Sequence, residues 1–245
     1  MLSKKEIKFI KSLKYKKYQK LNNCFIVEGK KIIMEFIDSK YELNKLFYVG
    51  KPIPNISSQI KIDKSYLEKI SLLKNPDNYL AIFKIKEPNK VDENNLIVAL
   101  DSVRDPGNLG TIIRTCEWYG IKDIICSKDS VDCYNNKVVQ SSMGSLSRIN
   151  ISYLDLLNYI KSNNKTLIGT TLIGKSIYNN KIKLSNVVLL FGNESSGISE
   201  ELLKVIDLNL SIPRFNNNKT PESLNLAASV AIVLSEARKL TLMKS

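Results

Sequence analysis

Histidine is missing altogether from this 245-residue chain. With it go the commonest general base and the commonest metal ligand, so any chemistry must run without imidazole. Cysteine is scarce: Cys24, Cys116, Cys126 and Cys133 show no CxxC spacing and lie mostly in apolar runs. That pattern predicts buried free thiols in a reducing compartment rather than zinc ligands or disulfides, and no metal site is expected. No apolar run reaches the roughly 20 residues of a membrane span, and the opening MLSKKEIKFIKSL lacks the uncharged core of a signal peptide, so a cytoplasmic location is expected. Acid is also in short supply, with 24 Asp and Glu against 37 Lys and Arg and a net charge of +13. Such a balance suits a polyanionic partner. Lysine and asparagine are abundant along the whole chain, however, so a compositional origin of the charge stands beside the functional one.

In chain order, Ser3 and Glu6 have the spacing of a capping box, and Ile7, Ile10 and Leu13 recur at helical spacing behind it. The run Lys14, Lys16, Lys17 and Lys20, interleaved with Tyr15 and Tyr18, has two readings: an RNA-backbone contact with rings to stack on bases, or a solvated helix end. CFIVEG, KLFYVG, QIKI and YLAIFKI read as strands, with helices at KKIIMEFIDS and DKSYLEKISLL between them. This is a compact α/β unit, and the polar stretch KEPNKVDENN that follows reads as a linker.

The second unit opens with LIVAL, a continuous apolar run suited to a strand covered on both faces. Strands at DIICS, INISY, TLIGTTL and NVVLLF alternate with helical stretches, which predicts a mostly parallel, doubly wound sheet. The boundaries are drawn at 1–88 for the first domain, 89–95 for the linker and 96–245 for the second domain. After LIVAL, Asp105-Pro106-Gly107 marks a tight turn, with Asn108 placed to cap the next helix. Gly107-x-x-Gly110 does not satisfy GxGxxG, which argues against a nicotinamide dehydrogenase.

Three groups can carry chemistry. Asn108 and Arg114 lie six residues apart at one helix start, where they need only converge on one pocket. Gly192-Asn193-Glu194 follows a buried strand, with Gly197 closing the loop and Ser199 at the next helix cap. Ile212-Pro213 and Glu222-Ser223-Leu224-Asn225 flank the loop before the last helix. Each residue has an ordinary structural reading as a cap or a turn. Arginine adds weight, because the chain has five, at 104, 114, 148, 214 and 238, and a guanidinium recognises phosphate bidentately where lysine does not.

The blocks DSVRDPGNLGTIIRTCEWYG, LLFGNESSGIS and IPRFNNNKTPESLNLAASVAIVLSEA resemble, in order, the three motifs of the SpoU, or TrmH, family of RNA ribose 2′-O-methyltransferases of the SPOUT superfamily. VVQSSMGSLSRINI resembles the segment between the first two, and the N-terminal unit resembles the family's L30e-like substrate-binding domain. The resemblance implies a SPOUT-type parallel sheet with a C-terminal trefoil knot, S-adenosylmethionine as cofactor and a homodimer formed through the C-terminal domain. It implies a catalytic set of Arg114, Asn108, Glu194, Ser223 and Asn225. The cofactor set would be Gly192, Asn193, Gly197, Ile212, Pro213 and Leu224. Lys14, Lys16, Lys17, Arg104 and Arg148 are the basic positions assigned to RNA. The implied substrate is ribosomal RNA, 23S foremost, with tRNA as the alternative and a non-catalytic RNA-binding protein as the second class of reading. Two departures stand out: RFNNNKTP is longer than the family's usual loop, and Ser195 replaces a common glycine.

Overall fold

The opening capping box forms as its spacing predicts: Glu6 N–H donates to Ser3 Oγ at 3.2 Å and Ser3 N–H returns to the Glu6 carboxylate at 2.9 Å. It starts α1 (Lys4–Ser12). The computed structural model describes residues 2–179, 185–215 and 223–242, apart from the side chains of 240–242. Two compact units result: residues 1–87 with 132–148, and residues 88–131 with 149–245.

In the first unit α1 is followed by α2 (Lys16–Asn22), β1 (Cys24–Glu28), α3 (Lys30–Asp38), β2 (Leu43–Tyr48), β3 (Gln59–Lys61), α4 (Lys64–Ile70) and β4 (Tyr79–Lys84). The sheet order is β1-β4-β2-β3, antiparallel except for the β2–β3 pair. Its core joins Ile10 and Leu13 of the N-terminal stretch to Leu67 and Ile70 of α4 and to Ile82 of β4. The helix α2 was not foreseen, because the sequence KKYQKLN has no apolar stripe to announce one.

The second unit runs β5 (Ile97–Leu100), α5 (Pro106–Trp118) and β6 (Asp123–Ser127). At that point residues 132–148 go to the first unit, contributing α6 (Asn136–Ser141) and a 3₁₀ turn (Ser145–Ser147). The sequence reading had placed this stretch in the second domain. Contacts that no local pattern encodes decide otherwise. Tyr134 packs its ring 4.5 Å from that of Phe25, and Gln19 Nε2 donates to its carbonyl. Gly144 lies so close to Glu35 that a Cβ there would meet its Cγ at 2.6 Å. Arg148 pairs with Glu35 at 2.5 Å.

The chain resumes as β7 (Asn150–Leu154), α7 (Leu156–Lys161), β8 (Thr166–Ser176), β9 (Val187–Phe191), α8 (Glu200–Leu203), β10 (Leu208–Ser211) and α9 (Leu226–Leu242). All six strands pair in parallel, in the order β10-β8-β9-β5-β6-β7. This is the expected SPOUT-type parallel sheet. Every residue of β5 and of β9 is buried, as continuous apolar runs in a doubly covered sheet should be. Successive strands β5, β6 and β7 step to one side of β5, while β9, β8 and β10 lie on the other. The order therefore reverses between β5 and β9, the switch point at whose carboxyl ends open α/β sheets bind their ligands.

Candidate active site at the carboxyl edge of the parallel sheet

At the switch point Leu100 of β5 pairs with Phe191 of β9, and Asp101 N–H donates to the Phe191 carbonyl at 2.9 Å. The next residue, Ser102, has a left-handed backbone with φ of 56°, a conformation that costs a non-glycine residue energy and collects at functional sites. Its carbonyl accepts from Asn193 Nδ2 at 2.6 Å, tying the loop after β5 to the loop after β9.

The loop after β9 is drawn tight by reciprocal bonds between Asn193 and Gly197, each N–H donating to the other's carbonyl at 2.9 Å. Asn193 Oδ1 also accepts from Ser195 N and Oγ and from Ser196 N. Both ends of this side chain are engaged, so Asn193 shapes the loop, and what it can offer a ligand is its backbone. Gly197 needs its glycine for a φ of 71°. Gly192 needs it for space, since a Cβ there would sit 2.2 Å from the Gly197 carbonyl carbon and the Ile198 nitrogen. Ser195 has no positive φ and replaces the common glycine without strain. Ser199 stands at the cap of α8 but makes no side-chain cap bond. Its N–H donates instead to the buried Asp101 carboxylate at 2.8 Å.

Asn108 does not cap α5. Asp105 takes that role, accepting from Asn108 N–H at 2.8 Å with Pro106 at the first helical position. The Asn108 side chain is thereby left to reach across the sheet edge. Its Nδ2 donates to Glu194 Oε1 at 2.8 Å, and its Oδ1 accepts from Asn225 Nδ2 at 2.9 Å. Asn225 in turn caps α9, its Oδ1 accepting from Ala228 N–H at 3.2 Å. Both ends of this relay fix the amide orientations: the cap needs the Asn225 oxygen, and a carboxylate can only accept. Three segments spanning residues 108 to 225 are thus locked in one line of polar contacts.

Not every expected residue joins it. Arg114 lies on α5 about 9 Å along the axis from Asn108 and about a third of a turn round it, by helical geometry. It is exposed and makes no ion pair among the described residues. Ser223 is exposed and has no hydrogen bond among them, Asn225 having taken the cap that Ser223 offered in the sequence. Glu222 and the lengthened loop from 216 lie outside the described residues. Ile212 and Pro213 are half-buried immediately after β10, and Leu224 is exposed before α9. Arg104 faces Asp129 at 4.0 Å. The Ser127 hydroxyl, donating at 2.7 Å, holds the Asp129 carboxyl below its usual range, helped by Ser102 and by Arg104.

Among the arginines Arg238 caps the carboxyl end of α5, donating from Nε to the Tyr119 carbonyl at 2.7 Å. Arg148 is committed to Glu35, and of the lysines assigned to RNA, Lys16 pairs with Asp132 at 3.1 Å. Sequence reasoning missed Asp101 and Ser102. An acidic residue directly after the apolar run LIVAL was the available signal.

A parallel α/β sheet carrying its polar relay at the topological switch point belongs to the class of ligand-binding enzyme domains that build their sites on strand-end loops. The particular family follows from comparison. The chain belongs to the SpoU rRNA methylase family, whose model matches residues 95–235, and residues 4–81 match the MRM3-like substrate binding domain. It is 27% identical over 243 residues to the Bacillus subtilis 23S rRNA (guanosine(2553)-2′-O)-methyltransferase RlmP, covering 95% of this chain and 96% of that one. A solved structure described as a TrmH-family RNA methyltransferase from Porphyromonas gingivalis superimposes with a TM-score of 0.87 at 32% identity, over 98% of this chain and 99% of that one. The AdoMet-bound rRNA methyltransferase from Sinorhizobium meliloti gives 0.86 at 29% identity, over 98% and 96%.

Proposed function

We propose that this protein transfers a methyl group from S-adenosylmethionine to a ribose 2′-hydroxyl of RNA, with 23S ribosomal RNA as the substrate. The observation that carries the reading is the Asn225–Asn108–Glu194 relay, which joins residues of all three family motifs at the switch point of the sheet. Full-length similarity to a 23S ribosomal RNA methyltransferase supports the substrate class.

The loops fit the cofactor. Exposed Gly197 presents bare backbone with open space around it, buried Gly192 lets the loop close on itself, and Ile212, Pro213 and Leu224 offer apolar surface at the adjoining strand end, as a nucleoside with a charged tail requires. When bound, the cofactor supplies an electrophilic methyl group on a sulfonium. The residues of the chain align the acceptor, and alignment alone supplies several kcal/mol of the acceleration. Glu194, held through Oε1 by Asn108, keeps Oε2 for the substrate or for Arg114. Arg114 holds the RNA phosphate beside the reacting ribose. A guanidinium is not deprotonated in proteins, so Arg114 has a positioning role. Glu194 and Asn225 are exposed and Asn108 is half-buried, so the hydroxyl proton has a path to water beside the Glu194 carboxylate. Ser223 is assigned a hydrogen bond near the nucleophile.

Two further features belong to this reading. The trefoil knot is supported by the chain order, in which β10 lies outside β8 and α9 returns to α5. A homodimer through the C-terminal unit is supported by apolar surface left on α5 and α9: Trp118 is 86% exposed, Ala228 is exposed and Ile232 half-buried. No helix among the described residues is long and apolar enough to cross a membrane, and a ribosomal RNA substrate implies the cytoplasm.

The test is methyl transfer from labelled S-adenosylmethionine to total RNA from a strain lacking the gene, with wild type and Arg114→Ala compared and the RNA fractionated. Label in 23S ribosomal RNA that the substitution abolishes is the expected result. Label confined to tRNA overturns the substrate, and no transfer overturns the enzyme.

A further inference from the structure

The seven-residue helix α2 is docked the wrong way round for a surface helix. Its one buried side chain is Gln19, 2% exposed, which donates from Nε2 to the Leu13 and Tyr134 carbonyls. Its apolar residues face outward instead, Leu21 at 74% and Tyr18 at 39% exposure, with Tyr15 at 54% just before the helix. Burying apolar area is the ordinary driving force for docking a helix, so a helix that anchors by a glutamine and displays its rings is shaped for something outside the fold.

These rings border an open groove of about 510 Å³ lined by Lys5, Lys8, Lys11, Lys14 and Phe9 as well as Tyr15 and Tyr18. That volume suits a nucleotide-sized group. The first 27 residues hold eight lysines and a single acidic residue, Glu6. Glu6 is turned away to Ser3 and, at 3.6 Å, to Lys45. Lys5, Lys8 and Lys11 therefore keep their charge uncompensated among the described residues. The two tyrosine rings lie 6.4 Å apart and tilted by 57°. They cannot both stack on one planar base, but each can take a different base of a splayed strand.

We infer that this groove is a binding site for unpaired RNA, with Tyr15 and Tyr18 stacking on two bases and Lys5, Lys8 and Lys11 tracking the phosphates. The site deepens the RNA reading above and rests on it only for the identity of the natural strand. Exposed planar rings favour single-stranded nucleic acid, because a duplex keeps its base faces covered. An anionic membrane surface calls for a longer helix with a broad apolar face, which the seven-residue α2 does not supply.

The experiment is fluorescence anisotropy of the full chain with labelled decamers of uridine and of adenosine, and with a ten-base-pair RNA duplex, for wild type and three variants. Tyr15→Ala/Tyr18→Ala is expected to weaken single-strand binding at least about tenfold, and Tyr15→Phe/Tyr18→Phe to restore it. Lys5→Gln/Lys8→Gln/Lys11→Gln is expected to flatten the salt dependence by about 0.7 in log–log slope for each lost contact. All these positions are at the surface, and a circular dichroism melt checks folding. Unchanged single-strand affinity in the alanine double variant overturns the proposal, as does a loss confined to duplex RNA. In methyl transfer the alanine variant should raise KM and leave kcat unchanged. Wild type that binds the decamers through these residues yet transfers no methyl group would overturn the enzyme reading and leave the groove standing.

Discussion

Asn108 and Glu194, 86 residues apart in the chain, meet through one hydrogen bond of 2.8 Å from amide to carboxylate. Because Asn108 also accepts from Asn225, it is the joint between the loop after β9 and the start of α9. Asn108→Ala should lower methyl transfer by roughly 10- to 100-fold, the worth of a hydrogen bond to a charged group. Asn108→Asp should cost at least as much, since it sets two carboxylates in contact. Steady-state kinetics of Asn108→Ala, Glu194→Gln and the double variant should show the second substitution costing little once the first is made. Additive losses would mean that the two residues act separately.

The two glycines of the 192–197 loop should respond differently to replacement. At Gly192 any side chain strikes backbone, so Gly192→Ala and Gly192→Asn should both lower Tm and abolish S-adenosylmethionine binding by calorimetry. At Gly197 there is open space and only the backbone angle objects. Gly197→Ala should cost about 1–2 kcal/mol, and Gly197→Asn less, because asparagine tolerates the left-handed region.

Trp118 is the single tryptophan and stands in solvent on α5. Dimer formation through α5 and α9 should cover it. Its emission should therefore lie to the blue at micromolar concentration and move to the red on dilution, in step with the mass from sedimentation. Emission and mass that do not change together would place the interface elsewhere.

Glu28, at the end of β1, supplies the pH dependence. Burial pushes its carboxyl above the usual range, against the hydrogen bonds from Ser71 Oγ at 2.5 Å and Leu72 N–H at 2.8 Å. A raised folded-state value means that the fold favours the protonated acid. Its contribution to stability is full below the ordinary carboxylate range and is lost as pH rises through the folded value. Glu28→Gln keeps the shape without the charge: its Oε1 can accept from Leu72 N–H while its Nε2 donates to Ser71 Oγ, reversing that bond as protonation of the acid would. It should raise the Tm of the first unit at pH 7 by a few degrees and change little at pH 4. An equal shift at both pH values would rule out this cause.

Because residues 132–148 belong to the first unit, a fragment ending at residue 88 should fold poorly. It lacks the Tyr134 ring over Phe25 and the Arg148 partner of Glu35. Joining 132–148 to it through a flexible linker should restore a cooperative melt by circular dichroism.

Local pattern made much of this protein legible. The capping box, the buried runs of β5 and β9 and the alternation of strand and helix are properties of neighbouring residues, which periodicity records directly. The three motifs were likewise contiguous, so their resemblance to a family could be read without coordinates. The roles within them were not. Asn108 looked like a cap because it follows a turn, but the helix starts earlier: Asp105 is the cap and accepts from the Asn108 N–H itself. Asn193 was expected at the cofactor, and its side chain is engaged by Ser102, Ser195 and Ser196, which leaves its backbone for that role. Nor does the sequence show that Arg148, expected at RNA, pairs with Glu35, 113 residues away.

What the sequence determined by itself, then, was the kind of elements and the family, since both reside in short contiguous stretches. What only the tertiary structure decided was which polar groups meet: the Asn225–Asn108–Glu194 line, the crossing of residues 132–148 into the first unit and the outward turn of α2. Each depends on contacts across long chain separations, where a hydrogen bond selects its partner by position in space and leaves no periodic trace in the sequence.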